Sequence, residues 1–232
     1  MKKARLIRIV VILAVAGYLY WKRGNETGPS EARSQAPVGT AVLKDNPLGG
    51  NTSASEKVNG YDKFTGVKLI NDDGNDGDSF FVNLSGKKIQ LRLYFVDAPE
   101  KYLSDRYENQ QRRVAEQARE MGGVSAEQIV EVGKAAKLFM ERELKGKTFT
   151  VYTYWEQVYD GDRYYGFAEL PDGSYLGTKL IENGLARIHT KGPGSKENPV
   201  PTPDGKSFHQ HRDMLFGLEK KAQHAGRGAW GL

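Results

Sequence analysis

The chain contains no cysteine among its 232 residues. Disulfide bonds, catalysis by a thiolate and zinc sites built on cysteine are therefore excluded. The apolar content of 38% and the aromatic content of 10% still suit a globular protein with a hydrophobic core. A chain of this length accommodates one such domain together with appended segments.

Most of the chain has no excess charge of either sign. The formal net charge is +5, but residues 1–60 carry nine Lys and Arg against four Asp and Glu, and the other 172 residues carry 25 of each kind. The basic excess therefore belongs to the N-terminal part. Overall charge gives no reason to expect that the globular part binds a polyanion, so such a function must be argued from individual side chains.

The first 23 residues combine basic side chains with a short apolar run at residues 9–21, a pattern that predicts an export signal. Small residues at 14–16 offer a cleavage site, whereas the aromatic residues at 18–21 resemble the interfacial belt of a membrane anchor. A signal-anchor and a cleaved signal peptide both stay open. Either one predicts an extracytoplasmic protein, bound to the membrane through this segment if it is uncleaved and secreted if it is cleaved.

Residues 24–62 are rich in Gly, Ser, Asn, Pro and Thr and have almost no aromatic side chains. Such a segment cannot bury enough apolar area to offset its ordering entropy, so we expect a flexible linker. The predicted organisation is a leader at 1–23, this linker, and one domain at 63–232.

The domain is predicted to be α+β, because strand patterns and helix patterns occur in separate blocks. Five strands with a helical region between the third and fourth is the order of an OB-type β-barrel, here with three to four helices. The expected fold is thus a five-stranded OB-type barrel preceded by an N-terminal hydrophobic helix and a flexible linker. The predicted strands are 66–71, 79–84, 88–96, 147–154 and 164–170, and the predicted helices are 107–121, 125–144, 176–183 and 208–225.

Two segments concentrate carboxylates at strand ends. Asp76-Gly77-Asp78-Ser79 runs into an apolar strand, and Arg92 precedes Asp97-Ala98-Pro99-Glu100 where the next strand ends. A phosphodiesterase needs oxygen ligands for a hard cation, a carboxylate that activates water, and guanidinium groups that clamp the phosphate. Either segment alone is more typical of an ordinary turn or loop than of a catalytic site.

Together and in this order, the two segments resemble the staphylococcal nuclease (thermonuclease) family, over about residues 66–232. The resemblance also rests on Asp172-Gly173, on Leu180-Ile181-Glu182-Asn183-Gly184-Leu185-Ala186-Arg187 and on Gly228-Ala229-Trp230. It implies a Ca²⁺-dependent endonuclease that hydrolyses DNA and RNA with little sequence specificity. We expect such a protein to be a monomer.

The resemblance also implies a role for each residue that matches the family's motif. Asp78, Asp97 and the backbone carbonyl of Ala98 would bind Ca²⁺, and Asp76 would support these ligands without contacting the ion. Glu100 would be the general base for the attacking water, and Arg92 would bind the scissile phosphate through two hydrogen bonds.

A second catalytic arginine is implied ahead of the fifth strand, where the motif departs from the family's pattern. An ungapped alignment back from Asp172-Gly173 places Tyr164 at that position, and a shift of one residue places Arg163 there. Arg163 is the prediction, because the strand begins at that point and no other arginine is near. Tyr164 or Tyr165 is predicted to stack on a substrate base.

Two insertions relative to the family lie near residues 103–132 and 192–206. The first holds a polar helix with several arginines, which is either a solvated surface helix or a lid over the active site; the second is predicted to be a surface loop. His209 and His211 are predicted to be surface histidines. The alternative function is a non-catalytic OB-type module that binds nucleic acid or protein, and an envelope structural protein is a third possibility.

Overall fold

The computed structural model describes residues 56–232 apart from residues 105, 160 and 190. The predicted leader at 1–23 and residues 24–55 of the predicted linker lie outside the described residues. No helix within the described residues is long and apolar enough to cross a membrane.

The described residues form an α+β fold, as predicted. The strands are β1 (Glu56–Val58), β2 (Tyr61–Val67), β3 (Ser79–Leu84), β4 (Lys87–Leu93), β5 (Val96–Asp97), β6 (Phe149–Gln157), β7 (Arg163–Glu169) and β8 (Arg187–Ile188). The helices are α1 (Glu108–Glu120), α2 (Ala126–Leu144), α3 (Leu176–Glu182) and α4 (Phe208–His224), and a 3-10 turn at Gly228–Gly231 follows α4.

Six strands form one sheet in the order β1-β2-β6-β7-β4-β3, and β5 pairs with β8 in a separate two-stranded sheet. All neighbours in the large sheet are antiparallel except β4 and β7, which are parallel. The sheet is not closed, so the strand pairing differs from the predicted five-stranded barrel. An isolated bridge between Leu69 and Val82, with the Ile70 N–H donating to the Phe81 carbonyl at 2.9 Å, links the chain beyond β2 to β3.

The domain begins earlier than predicted, because β1 and the start of β2 lie inside the predicted linker. A tight turn at Asn59-Gly60, with φ of 49° and 87°, joins the two strands. Tyr61, Phe64 and Val67 are buried, and the pairing of β2 with β6 shifts between Phe64 and Val67. This irregular register breaks the two-residue alternation that identifies a half-buried strand in a sequence.

The predicted helices are confirmed to within two residues at each end. α2 begins with a capping box in which the Ser125 hydroxyl accepts the Gln128 N–H at 3.2 Å and the Gln128 side chain accepts the Ser125 N–H at 2.9 Å. Gly133 lies on α2 where the helix meets the backbone of residues 99 and 100. A Cβ at this position would lie 2.4 Å from the Glu100 carbonyl oxygen, so only glycine permits this approach.

The prediction that His211 is a surface residue is wrong, whereas His209 is exposed. His211 is 3% exposed, and its ring centroid lies 4.6 Å from that of Phe95. It shares the buried face of α4 with Leu215, four residues later. The second insertion also packs on the domain, because the Tyr61 hydroxyl donates to the Pro201 carbonyl at 2.8 Å and Thr202 is fully buried.

Candidate active site

The hairpin of β3 and β4 places Asp78 beside Arg92. Ser79, the first residue of β3, pairs with Arg92 near the end of β4, and the Leu93 N–H donates to the Asp78 carbonyl at 2.8 Å. A two-residue turn at Ser85-Gly86, with φ of 53° and 79°, sets this register. Two residues that are 14 positions apart in the sequence are thereby fixed as neighbours.

A bend after β4 brings Asp97 to the same place. Along one straight strand, residues 92 and 97 would point to opposite faces, because side chains alternate with a period of two. The strand predicted at 88–96 instead ends at Leu93, and Phe95 has a left-handed φ of 66°. β5 then starts at Val96 and pairs with β8, which brings the Asp97 side chain to Arg92.

Arg92 forms ion pairs with both carboxylates. Its Nη1 lies 2.6 Å from Asp78 Oδ1, and its Nη2 lies 2.6 Å from Asp97 Oδ1. Asp78 Oδ2 accepts the Ala98 N–H at 2.6 Å, which ties the start of β3 to the end of β5. Both carboxylates are buried, while 13% of the Arg92 side chain remains exposed.

Arg187 is a further site residue, and the sequence identifies it only as the last residue of a motif. It lies on β8 opposite Asp97, and its Nε donates to Asp97 Oδ2 at 2.9 Å. Its Nη1 lies 2.6 Å from Glu120 Oε2 on α1. The pairing of β5 with β8 could have suggested this contact only if the two-residue strand β8 had been recognised.

The structure brings Arg163, rather than Tyr164, to Arg92. Arg163 Nη2 donates to Ser79 Oγ at 2.7 Å, and Arg92 Nη1 donates to the same oxygen at 3.4 Å. Tyr165 lines the same cleft, and its ring stacks on that of Tyr94 with centroids 5.1 Å apart. Tyr164, the neighbouring residue on β7, points to the opposite side, where its ring centroid lies 5.2 Å from that of Trp155 with the two ring planes nearly perpendicular.

Glu100 and Asp76 lie at the rim of this arrangement. Glu100 Oε1 is 2.6 Å from Arg113 Nη2 on α1. Asp76 Oδ1 accepts the Gly77 N–H at 2.8 Å, within the turn that leads into β3. The polar helix of the first insertion therefore contacts the cleft through Arg113, while most of its residues are exposed to solvent.

These residues meet at one open cleft of about 390 Å³. The cleft is lined by Asp76, Asp78, Ser79, Arg92, Asp97, Ala98, Glu100, Arg113, Arg163, Tyr165 and Arg187, among others. The lining combines four carboxylates with four guanidinium groups.

Burial and charge shift the acids of the cleft in different directions. Burial and the neighbouring Asp78 raise the pKa of Asp76 to about 6. Burial also raises the pKa of Asp78, despite the ion pair with Arg92. For Asp97, burial acts in the same direction but is outweighed by Arg92, Gln117 and Arg187, which lower its pKa to about 2. Burial thus favours the neutral forms of Asp76 and Asp78, whereas the cations and donors around Asp97 favour its charged form.

Among the described residues, no group of three or more His, Asp and Glu side chains is already arranged to hold a metal ion, and Arg92 lies between the two buried aspartates. The donors nevertheless fit a hard cation such as Ca²⁺. They are oxygen atoms: the carboxylates of Asp78 and Asp97 converge on Arg92, and the Ala98 N–H donates to Asp78 Oδ2, which holds residue 98 beside them. A cation beside Asp76 and Asp78 would favour their charged forms and so oppose the effect of burial on their pKa values.

A scan against models of protein families finds no model that matches this chain, and a search of curated proteins finds no matching protein. The family resemblance therefore rests on the sequence motifs alone.

Proposed function

We propose that this domain is a Ca²⁺-dependent endonuclease that hydrolyses phosphodiester bonds of DNA and RNA with little sequence specificity. The observation that carries the proposal is the meeting of Arg92 and Arg163 at Ser79 Oγ, beside two buried aspartates in an open cleft. Two adjacent guanidinium groups repel each other and form a binding site for a phosphate.

Unused donors on both arginines support a phosphate at this position. Arg163 Nε is buried without a hydrogen-bond partner among the described residues. The contacts of Arg92 with Asp78, Asp97 and Ser79 use three of its five N–H groups. An unpaired buried donor is unfavourable, so a substrate oxygen that accepts from it would add binding energy. Burial and the charge of Arg92 lower the pKa of Arg163, which an anion would reverse.

The side chains around this position suit hydrolysis by an activated water. Glu100 lies in the same cleft and would accept the water proton as the oxygen attacks phosphorus. A phosphorus–oxygen ester bond then breaks, and the leaving oxygen takes a proton from solvent. Arg92 and Arg163 would bind the phosphoryl oxygens as negative charge builds on them.

Asp78, Asp97 and the Ala98 carbonyl are the groups that would hold Ca²⁺, supported by the nearby carboxylate of Asp76. When bound, the ion would neutralise and polarise the phosphate. Tyr165, which lines the cleft, would stack on a base, a contact that tolerates any sequence.

The wider context of the enzyme belongs to the same proposal. We infer an OB-type arrangement of the strands. It is supported by the bridge between Leu69, which follows β2, and Val82 in β3, because this bridge links opposite sides of the large sheet. We also propose a monomer that acts outside the cytoplasm, held at the membrane by residues 1–23 or secreted after their removal. The basic and apolar pattern of that segment supports this location.

A second candidate is a non-catalytic module that binds nucleic acid or protein. One observation favours it: the acids of the proposed catalytic set are already paired, Asp78 and Asp97 with Arg92 and Glu100 with Arg113. If these ion pairs persist when the substrate binds, neither a metal ion nor a free base is available.

Replacing Glu100 by glutamine separates the two candidates. The variant should lose about 10²- to 10⁴-fold in turnover, because an amide cannot accept the water proton, while its calcium affinity stays within a few-fold of wild type. Turnover on a fluorescent oligonucleotide and calorimetric titration with Ca²⁺ measure the two quantities. Glu131→Gln is the matched control, because Glu131 is exposed on α2 and pairs only with Lys134. Unchanged turnover in Glu100→Gln would remove the assigned base.

A further inference from the structure

A polar residue of the first insertion is buried against the proposed site. Gln117 lies on α1, a helix that is otherwise mostly exposed, and it is 0% exposed. Val114 and Ala118, at positions three before and one after it, are the other buried residues of this helix. Burial of a primary amide is unfavourable unless its hydrogen bonds are replaced.

Gln117 replaces those bonds with contacts to a single short segment of the chain. Its Nε2 donates to Asp97 Oδ2 at 3.0 Å and to the Ala98 carbonyl at 3.3 Å. Its Oε1 accepts the Glu100 N–H at 3.1 Å. The reverse orientation of the amide would set donor against donor at Glu100 and acceptor against acceptor at Asp97, so the contacts define one orientation.

Two other side chains of α1 also contact residues 97–100 or a partner of Asp97. Arg113, one turn before Gln117, pairs with the Glu100 carboxylate at 2.6 Å. Glu120 pairs with Arg187, which itself donates to Asp97 Oδ2. Side chains of α1 thus contact the Asp97 carboxylate and both the backbone and the side chain of Glu100.

We propose that Gln117 is a positioning residue that sets the geometry of the Ca²⁺ ligands and of the general base. This inference rests on the proposed function and extends it to the first insertion. Gln117 fixes one oxygen of Asp97, so that the other faces Arg92 and the cleft. It also anchors the backbone of Ala98 and Glu100, which determines where the carbonyl ligand and the base lie. Groups of this kind change metal affinity or activity by about 10- to 100-fold when they are removed.

The test uses the full-length chain with Gln117→Met, which keeps the side-chain length and removes all three hydrogen bonds. Gln111→Met is the matched control: Gln111 lies on the same helix, and within the described part of the chain its side chain donates to the Ser104 carbonyl and to none of residues 97–100. The readouts are calcium affinity by calorimetry, kcat and KM on single-stranded DNA, and the hydrogen-exchange rate of the Glu100 amide.

For Gln117→Met we expect calcium affinity and kcat to fall by about 10- to 100-fold with KM for DNA little changed, and the Glu100 amide to exchange faster. Gln111→Met should match wild type in all three. If Gln117→Met does not fold, Gln117→Asn keeps a neutral amide but is one methylene shorter, so it cannot make all three bonds, and a fall in kcat is again expected.

Two results would overturn the inference, and they are distinguishable. A folded Gln117 variant with calcium affinity and kcat within about twofold of an active wild type would overturn the positioning role alone. A wild-type chain that neither binds calcium nor cleaves DNA would refute the proposed function, and the inference with it.

Discussion

Replacing Arg163 by alanine is expected to slow cleavage by about 10- to 150-fold. The side chain donates one of its five N–H groups to Ser79 Oγ, so at least one further bond to a phosphoryl oxygen can form. A hydrogen bond between charged groups contributes about 1.5–3 kcal/mol, and each 1.36 kcal/mol in the barrier changes the rate tenfold. Rates of single-turnover cleavage of a 5′-labelled oligonucleotide, with Ca²⁺ in excess, measure the loss directly.

Two further variants make this result specific. Arg163→Lys keeps the charge but not the planar fork of donors, so its rate should lie between those of wild type and Arg163→Ala. Tyr164→Ala removes a ring that packs on Trp155 and should change the rate much less. An Arg163→Ala rate within about twofold of wild type, with thermal melting showing a folded protein, would refute the reasoning. A larger loss in Tyr164→Ala would transfer the role to that position.

Two further predictions concern the framework around the site. Burial lowers the pKa of His211 to about 4 in the folded protein, whereas a histidine in the unfolded chain has a pKa of about 6.5. Below about pH 6.5 the unfolded chain therefore binds a proton that the folded protein does not. The free energy of unfolding is constant above that pH in this respect and falls by about 3 kcal/mol as the pH drops to 4. Urea unfolding of wild type and His211→Gln across this range isolates the effect of His211, because the raised pKa of Asp76 acts in the opposite direction and is present in both proteins. If the free energy of unfolding depended on pH in the same way in both proteins, the prediction would be contradicted. Gly133→Ala should lower the free energy of unfolding by about 1–3 kcal/mol, because the new Cβ would clash with the Glu100 carbonyl oxygen. An unchanged urea midpoint would show that α2 shifts to accommodate the methyl group without loss of stability.

The sequence predicts those parts of the fold that depend on local signals. The capping box at Ser125 marks the start of α2, and the turn at Ser85-Gly86 joins β3 to β4. Because that hairpin sets the register, the pairing of Asp78 with Arg92 follows from neighbouring residues. These features could be predicted since each is determined within a few residues of the chain.

The rest depends on contacts between distant segments. Gln117 lies in a helix that is polar along most of its length, and only the docking of α1 on residues 97–100 makes it a buried residue. The bend at Phe95 contains no glycine or proline, so the sequence gives no signal for it. β1 is three residues long and polar, and its strand conformation comes from pairing with β2. Local patterns carry no information about such tertiary contacts.

The central claim is tested most directly by incubating the purified full-length chain with single-stranded DNA, first with Ca²⁺ and then with excess EGTA. We predict cleavage that requires Ca²⁺ and stops when the chelator is added. Cleavage that persists in EGTA would contradict the role of the metal. A folded chain that binds the DNA and leaves it intact under both conditions would contradict the proposed enzyme and favour the binding module.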